Sequence, residues 1–122
     1  MAFNVKDQFI YFATVIHVRG RFLGHLDQAQ FKETINNLKE AGKTNVVVDL
    51  TKATFMDSGG LGVIVAALAT MRNAGGDIRL AGMNKRLTNV FLISRLLGDV
   101  FEAYETVDEA LAAFAPEGTP PA

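Results

Sequence analysis

The stretch Phe55-Met56-Asp57-Ser58-Gly59-Gly60-Leu61-Gly62 lies between two apolar segments, and this arrangement decides the fold. Residues 45–50, ahead of it, are a short run dominated by valine, which predicts a central strand. Residues 58–73 predict a helix that is apolar nearly all round and therefore largely buried. Gly75-Gly76 ends this helix, and residues 77–81 predict the next strand. A strand, a helix and a strand with short links require a right-handed crossover between parallel strands, so the sequence predicts an α/β fold.

The composition is that of one ordinary globular domain. Of the 122 residues, 49% are hydrophobic and 20% charged, and the formal net charge is −1, without the basic excess of a nucleic-acid-binding domain. Because the chain has no cysteine and only 2 histidines, thiol chemistry and disulfides are excluded and a His-rich metal site is disfavoured. The longest apolar run, residues 61–71, is shorter than the ~20 residues of a membrane helix, and no signal-peptide pattern precedes it. We expect a cytoplasmic protein without metal or cofactor that binds neither nucleic acid nor a membrane.

The other predicted elements complete a domain over residues 1–114. Two β-rich runs come first, and Gly20 is expected to end the second. Helices are predicted from about residues 25–27 to Gly42, after the N-cap Asn84, and after the capping box formed by Thr106 and Glu109. Residues 100–104 predict an edge strand. All 3 prolines follow the last helix, so residues 115–122 are expected to form a disordered tail.

Ser58 places a hydroxyl group at the start of the predicted central helix. Serine is a good N-cap residue, and the three glycines behind it allow other groups to approach the backbone closely. A helix start also offers unpaired N–H groups and the positive end of the helix dipole. A phosphate on or near Ser58 would therefore be electrostatically favourable.

Enzymatic interpretations of this loop fit less well. A serine hydrolase would place Ser58 in a G-x-S-x-G elbow, but Met56 occupies the position of the first glycine. A P-loop needs a lysine and a hydroxyl residue after its second glycine, and a dinucleotide fingerprint needs a glycine where Val65 stands. A small esterase-like activity at Ser58 is the enzymatic alternative.

Asp49 ends the predicted central strand, as the phosphorylated aspartate of a receiver domain does. A receiver domain also needs an acidic pair after its first strand to hold Mg²⁺, and Gly20-Arg21-Phe22 supplies no carboxylate there. We therefore interpret Asp49 as support for a turn into Thr51. His17 is expected to lie on its strand without a special role, and His25 to lie at the surface.

Asp49-Leu50 followed by residues 55–63 resembles the signature of the anti-sigma factor antagonists, single-domain members of the STAS family. Asp-Ser-(Ser/Thr)-Gly-Leu-Gly is typical of that signature. The similarity continues in Gly75-Gly76, in Val90, Phe91 and Leu97-Gly98, and in Glu109-Ala110-Leu111. It implies a mixed sheet of about four to five strands with helices packed against it.

The resemblance implies a regulatory protein rather than an enzyme. Members of the family bind a GHKL-type serine kinase that is also an anti-sigma factor, and so free a sigma factor. The kinase phosphorylates the serine that matches Ser58, and a PP2C-type phosphatase reverses this. Asp57 and Ser58 match residue by residue, so Ser58 is the implied phosphoacceptor. The implied switch loop and partner contact consists of Asp57, Gly59, Gly60, Leu61 and Gly62.

The sequence departs from the family pattern at two places. Gly59 stands where a second hydroxyl residue is usual. Arg21-Phe22-Leu23-Gly24 replaces an acidic Gly-Glu-Leu-Asp stretch, so Arg21, Phe22 and Leu23 form a possible partner surface of altered charge. A constitutive STAS scaffold and a partner switch without a sigma factor are the alternatives that these departures leave open.

Overall fold

The computed structural model describes residues 3–8, 13–97 and 100–114. The strands are β1 (Phe3–Gln8), β2 (Ala13–Phe22), β3 (Asn45–Met56), β4 (Asp77–Ala81) and β5 (Ala103–Tyr104), and the helices are α1 (Gly24–Glu40), α2 (Ser58–Asn73), α3 (Lys85–Ile93) and α4 (Val107–Ala112). One sheet contains the five strands in the order β1-β2-β3-β4-β5. β1 is antiparallel to β2, and the other neighbouring strands are parallel. The predicted mixed α/β fold and the parallel crossover from β3 through α2 to β4 are confirmed.

Hydrophobic residues on both faces of the sheet are buried under helices. Val46, Val48 and Leu50 of β3 belong to a large cluster that includes residues of α1, α2 and α3. Val47 belongs to a smaller cluster with Ala110 and Leu111 of α4. Since successive residues of a strand point to opposite faces, β3 is buried on both sides. This explains why its sequence is continuously apolar rather than alternating.

The strands β2 and β3 both end later in the chain than predicted. Gly20 does not end β2, which continues to Phe22. Gly20 adopts a φ of +74°, and the register of β2 with β3 is irregular there, as at a β-bulge. β3 continues to Met56, so the predicted turn after Asp49 is wrong. The carboxylate of Asp49 does bond to Thr51, but within a strand irregularity rather than at a chain reversal.

The carboxyl-terminal parts of β2 and β3 form a two-stranded ribbon that extends beyond the rest of the sheet, next to the candidate functional site. β4 ends at Ala81, which pairs with Asp49 of β3. Beyond this point residues 19–22 of β2 pair only with residues 52–56 of β3 within the described sheet, and we call these two segments the β2–β3 ribbon. The ribbon leads on one side to the start of α1 and on the other to the start of α2.

Helix α2 is half-buried, which corrects the prediction of a largely buried helix. Its buried residues include Ile64, Leu68 and Met71. In the middle of the helix the exposed residues are small, namely Gly62, Ala66 and Ala69. Small residues leave little apolar area in water, so this face needs no cover.

The remaining predictions concern the chain ends and short elements. The predicted edge strand over residues 100–104 reduces to β5, with a single bridge between Leu97 and Phe101 before it. The predicted N-cap of Asn84 and the capping box of Thr106 and Glu109 are confirmed by hydrogen bonds. The predicted tail, residues 115–122, lies outside the described residues.

Candidate functional site

Ser58 is the first residue of α2 and is exposed to solvent. The prediction that it caps the helix is wrong, because the N-cap is Asp57, whose Oδ1 accepts the Gly60 N–H at 2.6 Å. Aspartate is at least as good an N-cap as serine, and its carboxylate also interacts favourably with the helix dipole. No partner within the described part of the chain accepts or donates a hydrogen bond to the Ser58 hydroxyl.

Asp57 joins the starts of two helices. The oxygen that accepts the Gly60 N–H also accepts the Gly24 N–H of α1, at 3.0 Å. The N-cap position of α1 is Leu23, whose side chain cannot accept a hydrogen bond. Asp57, which lies between β3 and α2, therefore provides the capping acceptor that Leu23 cannot provide for α1.

The hydrogen bonds to Asp57 also fix its charge. The Gly24 N–H, and after it the Gly60 N–H, lower the pKa of the Asp57 carboxyl below its usual value of 3.8. The carboxylate is therefore ionised at neutral pH. Ser58 consequently follows a fixed negative charge directly in the chain.

The glycines around Ser58 allow a close approach of backbone segments. A Cβ atom on Gly24 would lie 2.4 Å from the carbonyl carbon of Gly59. A Cβ atom on Gly60 would lie 2.6 Å from the carbonyl oxygen of Phe22. Gly62 differs, since a Cβ atom there would meet nothing within 4 Å. Gly24 and Gly60 are thus required by packing, whereas Gly62 is free to carry a side chain.

The predicted partner surface of Arg21, Phe22 and Leu23 divides into separate environments. Phe22 is completely buried, with its ring edge-on to Phe31 at 5.3 Å, so the prediction that it faces a partner is wrong. Leu23 is half-buried. Arg21 is exposed, and its guanidinium lies 5.5 Å from the centre of the Phe55 ring. The strand register places Phe55, which is 38% exposed, beside Arg21.

His17, Asp49 and Thr51 form a hydrogen-bonded group on the sheet, in which the bond between His17 and Asp49 was not predicted from the sequence. The Nδ1 atom of His17 lies 2.6 Å from Oδ2 of Asp49, and Oδ1 of Asp49 accepts both the N–H and the hydroxyl of Thr51. Burial raises the pKa of Asp49, but the hydrogen bonds from Thr51 and His17 outweigh it and leave that pKa below the usual value. His17 and Asp49 are distant in the chain, and only the register of β2 with β3 brings them together.

A cleft of about 510 Å³ opens between α1 and α2 next to Ser58. Its floor includes Phe31 and Ile35, and Gly59 and Gly62 form part of its wall. His25 and Lys32 line the same cleft. Because Gly59 lines it, the cleft reaches the start of α2.

Residues 3–8, 13–97 and 100–114 contain neither a metal-binding cluster nor a membrane-spanning helix. No group of three or more histidine, aspartate or glutamate residues there is arranged to hold a metal ion. Within the same residues, no helix combines the length and the apolar character needed to cross a membrane.

The fold and site define a small α/β domain that presents an exposed serine at the carboxyl edge of a mixed sheet. The chain belongs to the STAS domain family, whose pattern it matches over residues 4–110. The resemblance seen in the sequence is thereby confirmed.

Anti-sigma factor antagonists are among the individual proteins that this chain resembles. Over 55 residues the chain is 40% identical to the anti-sigma-B factor antagonist of Listeria monocytogenes. The matched region covers 45% of this chain and 47% of that protein. The matched region thus spans about half the length of this curated relative. The structure of the Bacillus cell fate determinant SpoIIAA in its phosphorylated form has a TM-score of 0.70 at 23% identity, covering 92% of this chain and 98% of that one. The anti-sigma factor antagonist SpoIIAA in its unphosphorylated form also gives 0.70, at 19% identity and 88% and 92% coverage.

Proposed function

We propose that this protein is an anti-sigma factor antagonist that acts in a cytoplasmic partner-switching circuit. Its unphosphorylated form binds a GHKL-type serine kinase that is also an anti-sigma factor, and this binding releases the sigma factor. Phosphorylation of Ser58 abolishes the binding, and a PP2C-type phosphatase restores it. The protein itself catalyses no reaction in this scheme. Membership of the STAS family and the similarity to the Listeria antagonist support the proposal.

The observation that carries the proposal is the exposed hydroxyl of Ser58 at the first position of α2, which bonds to no group of the described residues. A kinase can reach this hydroxyl without breaking a helix cap, because Asp57 performs the capping. The backbone N–H groups of the first helical residues have no acceptor within the helix. They favour a phosphate group at this position in the free protein.

The switch follows from the cost of removing charge from water. Phosphorylation adds about −1.5 to −2 charges next to the ionised carboxylate of Asp57. In the free protein both groups are solvated, whereas in a complex centred on Ser58 they would be buried side by side. A penalty of ~3–4 kcal/mol would weaken binding by a factor of roughly several hundred, enough to separate the partners.

Similarity of shape also supports a switch that works without refolding. The phosphorylated and the unphosphorylated structures of SpoIIAA resemble this chain with the same TM-score of 0.70. We infer that the fold of this protein accommodates a phosphate on its surface in the same manner.

The decisive experiment compares Ser58→Ala, Ser58→Asp and the wild type for binding to the GHKL-type kinase that phosphorylates this protein in vitro. We expect the alanine variant to bind as the wild type does and the aspartate variant to bind at least tenfold more weakly. Ser94→Asp is the matched control, because Ser94 is also an exposed serine at a helix end. Equal affinities of the two Ser58 variants would refute the charge mechanism.

The alternatives give different results in simple assays. An esterase-like activity predicts that a serine-reactive phosphonate labels Ser58, which intact-mass measurement detects. A constitutive scaffold predicts that Ser58 carries no phosphate in cells during either growth or stress. Phosphopeptide analysis of the native host in both conditions measures this.

A further inference from the structure

Several exposed basic side chains lie at the carboxyl edge of the sheet, on the same edge as Ser58. Three belong to the β2–β3 ribbon and two to the first turn of α3. We call them the basic rim, and its members are Arg19, Arg21, Lys52, Lys85 and Arg86.

Two members of the basic rim face each other across the ribbon. Arg19 of β2 is in register with Lys52 of β3. Like charges on directly neighbouring strand positions are destabilising. Among the described residues, ion pairs involve His17, Arg72 and Arg79. No carboxylate of the described residues forms an ion pair with Arg19 or Lys52. The fold thus tolerates an unfavourable charge arrangement at this edge.

The start of α3 also contains an unfavourable arrangement of positive charges. Lys85 and Arg86 occupy its first turn, which contains no acidic residue. Positive charges near a helix N-terminus oppose the helix dipole. The side-chain amide of Asn84, the N-cap, donates to the carbonyl of Ala53 at 3.5 Å and so places these cations next to the ribbon.

The acidic residues of the same strands and first turns are already engaged. Asp57 accepts hydrogen bonds from two helix starts, Asp27 accepts the Leu23 N–H at 2.8 Å, and Asp49 is held by Thr51 and His17. These carboxylates do not form ion pairs with the basic rim. Locally unfavourable features that nothing in the fold compensates are expected at functional sites.

We propose that the basic rim docks an acidic surface of the kinase that recognises Ser58. The proposal rests on the proposed function and specifies the chemistry of the partner. Arg21 is central, because its guanidinium stacks on the exposed ring of Phe55, and arginine and aromatic residues dominate the energy of protein interfaces. The occupant is a compact acidic protein surface rather than a nucleic acid, because the whole chain carries a net charge of −1 and would repel an extended polyanion outside the rim.

Phosphorylation of Ser58 then acts twice in the same direction. The phosphate adds a charge that would be buried beside the carboxylate of Asp57, and it reduces the positive potential that the basic rim offers to the acidic surface. Electrostatic complementarity chiefly controls how fast partners associate and which partner is selected. Arg21-Phe22-Leu23 stands where the family usually has an acidic stretch. The exposed charge of Arg21 would therefore change which partner this protein selects.

Lys52→Glu is the sharpest test, because it separates binding from stability. The substitution places a glutamate opposite Arg19 and replaces a repulsive pair by an attractive one, so the variant should unfold at the same temperature as the wild type or higher. Lys39→Glu is the matched control, since Lys39 is exposed in the last turn of α1, away from Ser58, and the change in net charge is identical.

Association with the kinase is measured by stopped flow at increasing NaCl concentrations. We expect Lys52→Glu to associate about tenfold more slowly than the wild type at low salt, with a flatter salt dependence, and Lys39→Glu to change little. Equal association rates for Lys52→Glu and the wild type would overturn the proposal. Phosphorylation of Ser58 by the same kinase at high protein concentration tests the proposed function separately, because it requires only that the kinase recognises Ser58.

A second measurement needs no kinase. Isotope-labelled protein is titrated with poly-L-glutamate and, in parallel, with a thymidine oligonucleotide, while the backbone amide signals are followed by NMR. We expect poly-L-glutamate to shift signals of residues 19–22, 52–58 and 84–87, and the shifts to weaken in Lys52→Glu. Tighter binding of the oligonucleotide at these residues would assign the rim to nucleic acid instead, and the absence of shifts with both probes would overturn the docking surface.

Discussion

Gly24→Ala tests whether the close contact between the starts of α1 and α2 holds the site together. The added Cβ atom would lie 2.4, 2.5 and 2.8 Å from the carbonyl carbon, Cα and oxygen of Gly59. Carbon atoms in contact prefer separations of about 3.5–4.0 Å, so the two helix starts must separate by roughly 1 Å. All three neighbouring atoms belong to the backbone, and no side chain can rotate away to make room.

The magnitude follows from two opposing effects. Overpacking typically costs about 1–3 kcal/mol. Replacing a helical glycine by alanine recovers ~0.4–1 kcal/mol through the lower conformational entropy of the unfolded chain. We therefore expect Gly24→Ala to lower the free energy of unfolding by about 1–2 kcal/mol, and the melting temperature by roughly 4–10 °C.

Gly62→Ala is the matched control within the same site. Gly62 is exposed in α2, and a Cβ atom there would meet nothing within 4 Å. The same substitution should therefore raise the free energy of unfolding by ~0.5–1 kcal/mol. Both variants are measured by thermal and urea unfolding followed by circular dichroism. If Gly24→Ala were as stable as the wild type, the inferred contact between the helix starts would be incorrect.

Three further substitutions test other contacts. Phe101→Ala removes a fully buried ring and should lower the free energy of unfolding by about 3–5 kcal/mol in urea titrations. Arg79 donates to the carbonyl of Ala113 at 2.7 Å and lies 4.4 Å from the Phe114 ring, so Arg79→Met should accelerate amide hydrogen exchange in α4 while leaving that of α2 unchanged. The pKa of Asp57 is lowered in the folded state, so the ionised carboxylate stabilises the protein above about pH 4 and this stabilisation is lost as the pH falls. The melting temperature of Asp57→Asn should therefore fall less on acidification than that of the wild type.

The order of elements could be predicted because local patterns determine it. The valines of β3 and the glycines at 75 and 76 mark where the central strand lies and where α2 ends, and the short links between them permit only a parallel crossover. Asn84 and Thr106 were recognisable as caps, because the residues that they bond lie within the next turn.

The geometry of the site could not be predicted because it depends on contacts between distant residues. The positive φ of Gly20 and the shifted register extend β2, and this places Phe22 in the core and Arg21 beside Phe55. The choice between Asp57 and Ser58 as the N-cap is likewise not local, since Asp57 gains a second donor from α1. A serine followed by glycines carries no information about a neighbouring helix that begins 34 residues earlier in the chain, at Gly24.

The position of the cap explains why phosphorylation should change binding rather than folding. If Ser58 were the cap, phosphorylation would replace the hydroxyl that bonds to the first turn of α2 by a phosphate, so the cap itself would change. With Asp57 as the cap, a phosphate on Ser58 would add to an intact helix start, where negative charge is favoured by ~0.3–1 kcal/mol. The repulsion from the carboxylate of Asp57 acts through solvent and largely offsets this gain. We therefore expect the phosphorylated protein to melt within a few degrees of the unmodified one. A collapse of the melting temperature on stoichiometric phosphorylation, measured by calorimetry, would show instead that Ser58 is essential to the start of α2.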